Sequence, residues 1–431
     1  MSEQANQRAI KSVCQTITSG GTPSRKKQSY YSDDSEGYLW IKSKELLDNS
    51  ISDTEEYITE KGLDNSSAKL FPKETVLVAM YGANVGQLGW LKKKATTNQA
   101  ICGLQVDKEK ADFRYLFYAL LAKRDGLIGK AHGAAQQNLN QSLVKNFELP
   151  FPSLSTQKKI ASILSAFDDL IENNTRRIEI LEEMARRIYR EWFVHFRYPY
   201  AQGHRHTKAS AKERSGKQAN PGHEDDGLVD SGTELGEIPK GWEVKEFGEL
   251  VEYERDRVKN EEVEERVSVL GLGDMLKESI NLSEWENTDD IGSTKLRFKK
   301  DDILFGKIRP YFHKVGFAQT SGVCSSDIFV WRPKEYKDFV LALLAASSDK
   351  FVETATNSSS GTKMPRAKWD VLEKYLVAYP PDNLLKKLNS LIGSSLNQIR
   401  TLSFQNKRLK ETRDLLLPKL ISGRLVWRKW S

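Results

Sequence analysis

Hydrogen-bonding side chains cluster behind two glycines, Gly133 and Gly361, at matching places in the sequence. Amide side chains suit the edge of adenine and cationic side chains suit guanine, when they project from a loop or a helix start. These clusters could therefore read nucleobases, with different donors in each cluster; a plain polar turn before a helix is the alternative. The residues are Gln136, Gln137 and Asn138 in the first cluster, and Lys363 and Arg366 in the second.

A second set of candidates follows two predicted strands, 75–80 and 302–305. Lys307 and Arg309 would project from the same side of the chain, because side chains alternate along a strand. Two neighbouring cations need a partner, so we expect Arg309 to contact a base, with a phosphate contact as the alternative. The candidates are Tyr81 and Asn84 after the first strand, and Lys307, Arg309, Tyr311, His313 and Lys314 after the second.

Two basic runs favour contacts with phosphate groups, which position a protein on nucleic acid without specifying a sequence. A run of cations in a solvated turn is the alternative interpretation. The runs are Arg25, Lys26 and Lys27, and Lys92, Lys93 and Lys94.

The sequence lacks the motifs of enzymes that modify or translocate DNA. An amino-methyltransferase needs Asn or Asp before Pro-Pro and an aromatic residue, whereas the chain has Ala-Tyr-Pro-Pro-Asp at 378–382. No phosphate-binding loop of the G-x-x-x-x-G-K-S/T type occurs, and Gly271 and Gly273 suit a turn. His204 and His206 have no further ligands at metal spacing. We therefore expect no catalytic residues, metal or cofactor in this chain.

Composition indicates a folded protein of two domains. Of the 431 residues, 39% are hydrophobic and 29% are charged. No apolar run approaches the roughly 20 residues that cross a bilayer, and the N-terminus has no signal-like stretch. Three scattered cysteines, Cys14, Cys102 and Cys324, argue against a disulfide framework, so we expect a cytoplasmic protein. Residues 404–431 contribute +6 of the net charge of +7, which permits a nucleic-acid partner without establishing one.

An internal duplication organises the chain. The segment that starts at Phe71 aligns with the one that starts at Phe298, an offset of 227. Gly133 aligns with Gly361, an offset of 228, and a proline and a long helical pattern follow in each copy. Short β-rich runs and helical patterns alternate within each copy. The predicted fold class is therefore mixed, α+β, with two globular regions that share a frame.

The predicted boundaries follow from this repeat. Residues 199–235 are rich in Gly, Ser and Lys and poor in apolar residues, which is typical of a flexible linker. The segments are a first globular domain at 1–152, a first long helix at 153–198, the linker, a second globular domain at 236–381, and a second long helix with a basic tail at 382–431.

Apolar residues recur every seven positions in the helical patterns 156–193 and 382–417, which is typical of a coiled-coil seam. Asn174 occupies a seam position, where a polar side chain lowers stability and fixes register. We expect the helices to pack against each other in antiparallel orientation; packing of each on its own domain is the alternative. The seam residues are Ile160, Phe167, Asn174, Leu181 and Ile188, with a companion column of Ile163 or Leu164, Leu170 or Ile171, Ile178, Met184 or Ala185, and Trp192, and Leu388, Leu402, Leu409 and Leu416 in the second helix.

The ends of both helical patterns carry more apolar side chains than an isolated helix leaves in water, which favours a protein partner there. Contacts of the neighbouring Arg and Lys with DNA phosphates are the competing interpretation. The apolar residues are Trp192, Phe193 and Phe196 at the first end, and Leu417 and Leu420 at the second.

Several motifs resemble those of the specificity (S) subunits of type I restriction-modification enzymes. Their order along the whole chain is that of the family: recognition domain, spacer helix, recognition domain, spacer helix. Leu250–Arg257 departs from the pattern by lacking Gly-Gly-Thr-Pro, which limits the transfer of single residues. The motifs are Thr18-Ser-Gly-Gly-Thr-Pro23, Trp40-Ile41, EMARRIYREWF at 183–193, Leu235-Gly-Glu-Ile-Pro-Lys-Gly-Trp242 and Leu417-Pro-Lys-Leu-Ile-Ser-Gly-Arg-Leu425.

The resemblance implies a non-catalytic subunit that recognises double-stranded DNA. Each domain would read one half of a bipartite target, and the helices would set the gap. Two methyltransferase (M) subunits would be partners, joined by motor-nuclease (R) subunits where the system restricts DNA. S-adenosylmethionine, and ATP with Mg for restriction, would be bound by those partners. A coiled-coil scaffold with two globular heads and no DNA role is the main alternative.

Overall fold

The computed structural model divides into two compact units, and each includes parts of both long helices. Unit 1 consists of 1–172 and 408–431, and unit 2 consists of 173–407. The predicted domains, in contrast, end where the helices begin. The residues that the structure describes are 6–32, 36–131, 138–198, 228–263, 265–361 and 363–425.

Unit 1 contains a main mixed sheet of order β2-β10-β7-β8-β5, a second sheet of order β3-β6-β4-β9, and the pair β1-β11. Its strands are β1 (Asn6–Ala9), β2 (Cys14–Ser19), β3 (Tyr31–Ser32), β4 (Tyr38–Ile41), β5 (Asn49–Ile51), β6 (Tyr57–Ile58), β7 (Val76–Ala79), β8 (Leu88–Leu91), β9 (Ala95–Thr97), β10 (Ile101–Val106) and β11 (Glu148–Phe151). Its helices are α1 (Glu60–Asp64), α2 (Phe113–Ala122), α3 (Arg124–Ile128), α4 (Gln141–Asn146) and the first part of α5 (Leu154–Tyr189), with 3₁₀ turns at Ile10–Ser12, Gln28–Tyr30 and Ser43–Glu45.

Unit 2 contains a main sheet of order β15-β24-β21-β22-β18, a second of order β16-β20-β23-β17-β19, and the pairs β12-β13 and β14-β25. Its strands are β12 (Leu228–Asp230), β13 (Glu237–Pro239), β14 (Glu243–Glu246), β15 (Val251–Glu254), β16 (Arg257–Val258), β17 (Val267–Leu270), β18 (Asn281–Leu282), β19 (Glu286–Thr288), β20 (Lys295–Phe298), β21 (Ile303–Gly306), β22 (Val315–Ala318), β23 (Gly322–Cys324), β24 (Ile328–Pro333) and β25 (Leu376–Tyr379). Its helices are α6 (Phe247–Leu250), α7 (Phe339–Ala346), α8 (Asp349–Asn357), α9 (Trp369–Leu372) and most of α10 (Asp382–Ile421), with 3₁₀ turns at Asn260–Glu262, Pro310–Phe312 and Tyr336–Asp338.

The main sheets of the two units have equivalent strand orders, which confirms the predicted duplication and the mixed fold class. β7 and β21 begin at Val76 and Ile303, and β10 and β24 begin at Ile101 and Ile328, an offset of 227 in both cases. Each main sheet ends in a parallel pair, β5 with β8 and β18 with β22. Each second sheet also contains one, β4 with β9 and β17 with β23. The copies therefore share topology as well as spacing.

Buried apolar side chains hold each globular part together. All four residues of β7 are buried, and α2 packs into the same core through Tyr115 and Leu116. Asp112 caps α2, because its side chain accepts hydrogen bonds from the backbone nitrogens of Arg114 and Tyr115, both at 3.0 Å. In unit 2 every residue of α7 is buried, as expected for a helix without a polar face.

The structure contains the two long helices that the sequence patterns predicted. α5 ends in a π-helical turn at Arg190–Val194. α10 continues through Pro418, past the predicted end at 417. Proline removes one backbone donor, but Leu420 and Ile421 beyond it are buried in the core of unit 1, which stabilises the last turn.

The two helices contact each other in both units. In unit 1, the guanidinium Nη1 of Arg413 donates to Oδ1 of Asp168 at 2.6 Å. The earlier turn of α5 at Leu164 and the later turn of α10 at Leu417 share one core, so the segments run antiparallel. In unit 2, the Nδ2 of Asn174 donates to Oδ1 of Asn406 at 3.0 Å.

The companion column is buried in part: Leu164, Ile178, Ala185 and Trp192 are buried, whereas Leu170 and Met184 are exposed and Ile163 and Ile171 are half-buried. Glu182, next to Leu181, is buried, and Asp168, next to Phe167, is half-buried. Among the predicted seam residues, Ile160, Asn174, Leu388 and Leu402 are buried, whereas Phe167, Leu181, Ile188, Leu409 and Leu416 are half-buried.

The apolar helix ends do not form the partner surface that the sequence favoured, because the chain covers them itself. Phe193 is buried, and its ring and that of Phe196 lie 5.4 and 5.5 Å from the ring of Trp242. Leu417 and Leu420 are buried in the core of unit 1. Trp242 belongs to the motif at 235–242 and Phe193 to the motif at 183–193, so residues of one motif cover residues of the other.

The predicted linker 199–235 is wrong at its C-terminal end. Leu228–Asp230 forms β12, which pairs antiparallel with β13. A run of three residues is too short for its alternation to be distinguished from coil. Residues 199–227 lie outside the described part of the chain.

A carboxyl group on α5 allows a test of how this helix is docked in unit 2. Glu182 is 4% exposed, and its Oε1 accepts hydrogen bonds from Ser279 Oγ and the Asn281 backbone nitrogen, both at 2.8 Å. Burial raises the pKa of Glu182 above its usual value, although its hydrogen bonds and Arg186 oppose the shift. Its ionised form is therefore penalised in the folded protein. The penalty develops as the pH rises from the usual carboxyl pKa to the raised one, and it is constant at higher pH.

We expect Glu182→Gln, which keeps an accepting oxygen, to stabilise unit 2 relative to the wild type by an amount that grows as the pH rises from the usual carboxyl pKa to the raised one. Thermal unfolding between about pH 5 and about pH 8 measures this trend. Glu183→Gln is the control, because hydrogen bonds from Arg187 and Arg186 lower the pKa of the exposed Glu183. A stability difference for Glu182→Gln that is independent of pH would contradict the expectation.

Candidate DNA interface

In unit 1 the two candidate loops lie side by side at the end of β7. The backbone nitrogen of Leu139 donates to the carbonyl of Met80 at 2.8 Å, which joins the residue after β7 to the residue after Asn138. The ring of Tyr81 is exposed, and its hydroxyl donates to the carbonyl of Gln99 at 3.3 Å. Asn138 is exposed, Asn84 is half-buried, and Gln136 and Gln137 lie outside the described residues.

Unit 2 joins the corresponding loops at the end of β21. The backbone nitrogen of Arg309 donates to the carbonyl of Pro365 at 2.8 Å, and that of Ala367 to the carbonyl of Lys307 at 2.9 Å. The guanidinium of Arg309 also donates to the carbonyl of Lys363 at 3.3 Å. Candidate segments that are distant in sequence therefore form one surface in each unit.

Four cationic or aromatic side chains of this surface in unit 2 are available to a ligand. Arg309, Tyr311 and Lys363 are exposed. The guanidinium of Arg366 lies 3.5 Å from the carboxylate of Asp327, and about half of the arginine side chain, 54%, stays exposed. The ion pair directs Arg366 without burying it.

Three other predicted residues of unit 2 are engaged within the protein. The ammonium of Lys307 donates to the carbonyl of Ser326 at 2.7 Å and lies 4.7 Å from the centre of the Phe329 ring. The Nε2 of His313 lies 2.9 Å from the carbonyl of Ser347. Lys314 donates to the carbonyl of Leu272 at 2.7 Å, and burial, with Lys277 nearby, lowers its pKa. Alternation along an extended chain does not reveal these contacts, because their partners are distant in sequence.

The backbone of this surface is in an uncommon conformation. Arg309 and His313 have φ angles of 49° and 50°, and they flank the 3₁₀ turn Pro310–Phe312. A left-handed conformation costs a residue with a side chain about 1 kcal/mol or more, and such residues concentrate at functional sites. The backbone hydrogen bonds to the 365–367 segment stabilise this turn and hold Arg309 at the surface.

The Gly-Gly-Thr-Pro motif of unit 1 is a packing motif that positions a cation. A Cβ on Gly20 would lie 2.1 Å from the Thr97 carbonyl oxygen, and one on Gly21 would lie 2.3 Å from that of Ser67. The chain then turns so that the guanidinium of Arg25 lies 4.4 Å from the Tyr31 ring centre, and it pairs with Glu56 at 2.6 Å.

The remaining basic residues are divided between the surface and internal contacts. Lys92 forms an ion pair with Glu172 of α5, and it lines a cleft of about 620 Å³. Lys27 donates to the hydroxyl of Tyr30 at 2.9 Å. Lys26, Lys93 and Lys94 are exposed. The exposed lysines suit phosphate contacts better than Lys92 does.

Sequence reasoning missed residues that orient the candidates. Asp327 directs Arg366, and Gln99 accepts from the hydroxyl of Thr22 while its carbonyl accepts from Tyr81. No local pattern marks these residues, because each partner comes from a distant part of the sequence.

Other kinds of site are not evident in the described part of the chain. No cluster of His, Cys, Asp and Glu suited to a metal ion occurs among these residues, and none of their helices is long and apolar enough to cross a membrane. The three cysteines are free, and burial raises the pKa of each thiol to about 12. Thiolate chemistry at neutral pH is therefore disfavoured.

The chain belongs to the type I restriction-modification DNA specificity family, whose domain model matches residues 3–183 and 239–411. The two matches correspond to the two copies of the repeat, each with a large part of its long helix.

Relatives span nearly the whole chain. The specificity subunit of the type I restriction enzyme MjaIX from Methanocaldococcus jannaschii is 29% identical over 95% of this chain and 91% of its own length. The MjaVIII specificity subunit from the same organism is 23% identical over 90% of this chain and 87% of its own. The crystal structure of an S subunit from M. genitalium has the same fold, with a TM-score of 0.57, 18% identity and coverage of 96% and 95%.

We expect Gly21→Ala to destabilise unit 1 by about 2 kcal/mol, because its Cβ would meet the Ser67 backbone and overpacking costs about 1–3 kcal/mol. Thermal unfolding checks the loss. Gly273→Ala is the matched control, since nothing lies within 4 Å of a Cβ at that position. Equal effects of the two substitutions would show that the close approach at Gly21 is unimportant.

Proposed function

We propose that this chain is the non-catalytic DNA-recognition subunit of a type I restriction-modification complex. Each globular part reads one half of a bipartite target in double-stranded DNA, and the long helices set the gap between the halves. The observation that carries the proposal is the repeated loop surface at the ends of β7 and β21. The same two loops meet at the same place in both copies, and they present different donors.

Two different half-sites require different hydrogen-bond donors at equivalent positions of the two units. Unit 2 presents the exposed cations Arg309, Lys363 and Arg366, which suit guanine edges in the major groove. Unit 1 presents Asn138 with Tyr81 beside it, and an amide suits adenine. Lys26, Lys93 and Lys94 would contact phosphates and position the protein without reading sequence.

The chemistry would be supplied by partner subunits. The relatives are named as specificity subunits of restriction enzymes, which supports an assembly with other chains. We expect two methyltransferase subunits that bind S-adenosylmethionine, and motor-nuclease subunits with ATP and Mg where the system restricts DNA. This assembly would act in the cytoplasm, where the DNA is accessible.

A mobility-shift titration separates this function from a scaffold without a DNA role. Random duplexes are titrated with the chain alone and with its methyltransferase subunit. We expect binding that weakens steeply with salt, because phosphate contacts release counterions. Absence of binding in both conditions would favour the scaffold.

Mapping of methylated adenines in a host that expresses the system should reveal a two-part motif with a gap of fixed length. The physical reason is that each reading surface is fixed to a continuous helix, α5 or α10. Omission of the gene for this chain is the control, and it should abolish the motif. A continuous motif would contradict the spacer role of the helices.

Arg309→Ala should relax the half-site read by unit 2 and leave the other half-site unchanged, at a cost of about 1–3 kcal/mol for the matched base. Competition binding against duplexes varied at single positions measures both effects. Lys26→Ala is the contrasting variant, because loss of a phosphate contact weakens all sequences equally and lowers the salt slope by about one. Equal weakening on all sequences for Arg309→Ala would make Arg309 a phosphate contact.

A further inference from the structure

The two helices of the seam are related by the internal repeat, so each polar layer can be compared with its equivalent in the other copy. α5 begins at Leu154 and α10 at Asp382, so each position of α5 has an equivalent on α10 at an offset of 228. A layer formed by one residue of each helix in unit 1 therefore has a counterpart in unit 2. Identical layers would allow either helix to pair with a second copy of itself.

The layer around Asp168 differs completely between the two units. In unit 1, the hydroxyl of Tyr118 donates to Oδ2 of Asp168 at 2.5 Å, and Arg413 donates to Oδ1 at 2.6 Å. The side chains of Asp168 and Arg413 are 28% and 18% exposed, so water screens the pair only in part. At the offset of 228 the equivalents of Asp168 and Arg413 are Leu396 and Ala185. The helices α2 and α7 begin at Phe113 and Phe339, an offset of 226, which makes Leu344 the equivalent of Tyr118. All three residues are buried in one core.

The layer of paired asparagines shows the same asymmetry. Asn174 donates to Asn406 at 3.0 Å, and the two residues are 8% and 9% exposed. Their equivalents at the offset of 228 are Leu402 for Asn174 and Ile178 for Asn406, and both are buried and apolar.

We infer that these two polar layers are a pairing code, through which the seam of α5 accepts α10 and rejects a second copy of α5. In a pair of two α5 helices, Ala185 would take the place of Arg413 and Ile178 the place of Asn406. Asp168 would lose its cation, and Asn174 would lose its amide partner, twice in each assembly. A buried polar group without a partner is strongly unfavourable.

The same argument applies to α10. In a pair of two α10 helices, Leu396 would take the place of Asp168 and Leu402 the place of Asn174. Arg413 would keep the carboxylate of Asp414 on its own helix but lose that of Asp168, and Asn406 would lose the amide of Asn174. Both homotypic pairs are therefore disfavoured, because each loses hydrogen bonds that the pair of α5 with α10 makes. The code keeps α5 paired with α10 and not with a second α5, which goes beyond the reading of DNA.

The test recreates the homotypic layers inside the full-length chain. Variant A, Arg413→Ala with Asn406→Ile, gives α10 the residues that a second α5 would present. Variant B, Tyr118→Phe with Asp168→Leu and Asn174→Leu, removes the polar groups that lose a partner in variant A. Variant AB combines them, so that both units have apolar layers. Stability is measured by denaturant unfolding, without DNA or partner subunits, so failure of the proposed function would not affect the result.

We expect A and B each to lower the ratio of folded to unfolded protein about tenfold or more, and AB to recover most of this loss, because paired groups couple strongly. Arg176→Ala with Glu179→Leu, at exposed positions of α5, is the control for the number of substitutions and should unfold close to the wild type, because an exposed ion pair contributes little. Failure of A to fold while AB folds would also support the code. Losses that add in AB, or an AB variant that does not fold, would overturn it.

Discussion

The structure depends on one constraint: each long helix must bury its apolar face in two different cores. α5 contributes Ile160 and Leu164 to the core of unit 1, and Ile178 and Ala185 to that of unit 2. α10 contributes to both cores in the same way. Because a helix rises by a fixed amount per residue, its packing in one unit determines which residues remain for the other. The globular parts are therefore attached to the helices α5 and α10 and not to loops.

The candidate loop surfaces at the ends of β7 and β21 depend on the packed sheets beneath them. Packing around β21 supports a loop whose own geometry is costly, that of the left-handed Arg309. The frame of the loops is set by backbone hydrogen bonds, at Leu139 in unit 1 and at Ala367 in unit 2. Side chains can therefore differ between the copies without loss of the fold, which suits a protein that recognises two unlike half-sites.

Much of this architecture could be predicted from the sequence, because it depends on the seven-residue repeat of apolar residues and on the constant offset between the two copies. The constant offset indicated the duplication, and the seven-residue repeat indicated the seam, including buried Asn174. Contacts distant in sequence were not predictable: Lys307, His313 and Lys314 bind backbone carbonyls, and Asp168 and Glu182 take seam positions through partners on other elements. The DNA-contact residues stay predictions, because exposure and charge do not distinguish a base from a phosphate contact.

The ion pairs that join each globular part to its own helix have consequences for how such genes can change. In unit 1, Lys92 pairs with Glu172 of α5, whereas in unit 2 Arg400 of α10 pairs with Asp301. Glu172 and Arg400 are equivalent positions of opposite charge. A gene conversion that copied the second globular part into the first position would replace Lys92 by Gln319, while Asp301 would replace Glu74, which is also acidic. Glu172 would then lose its cation and keep an acidic neighbour. The two copies have thus diverged in charge at their contacts with the helices, and such an exchange would favour a change at Glu172.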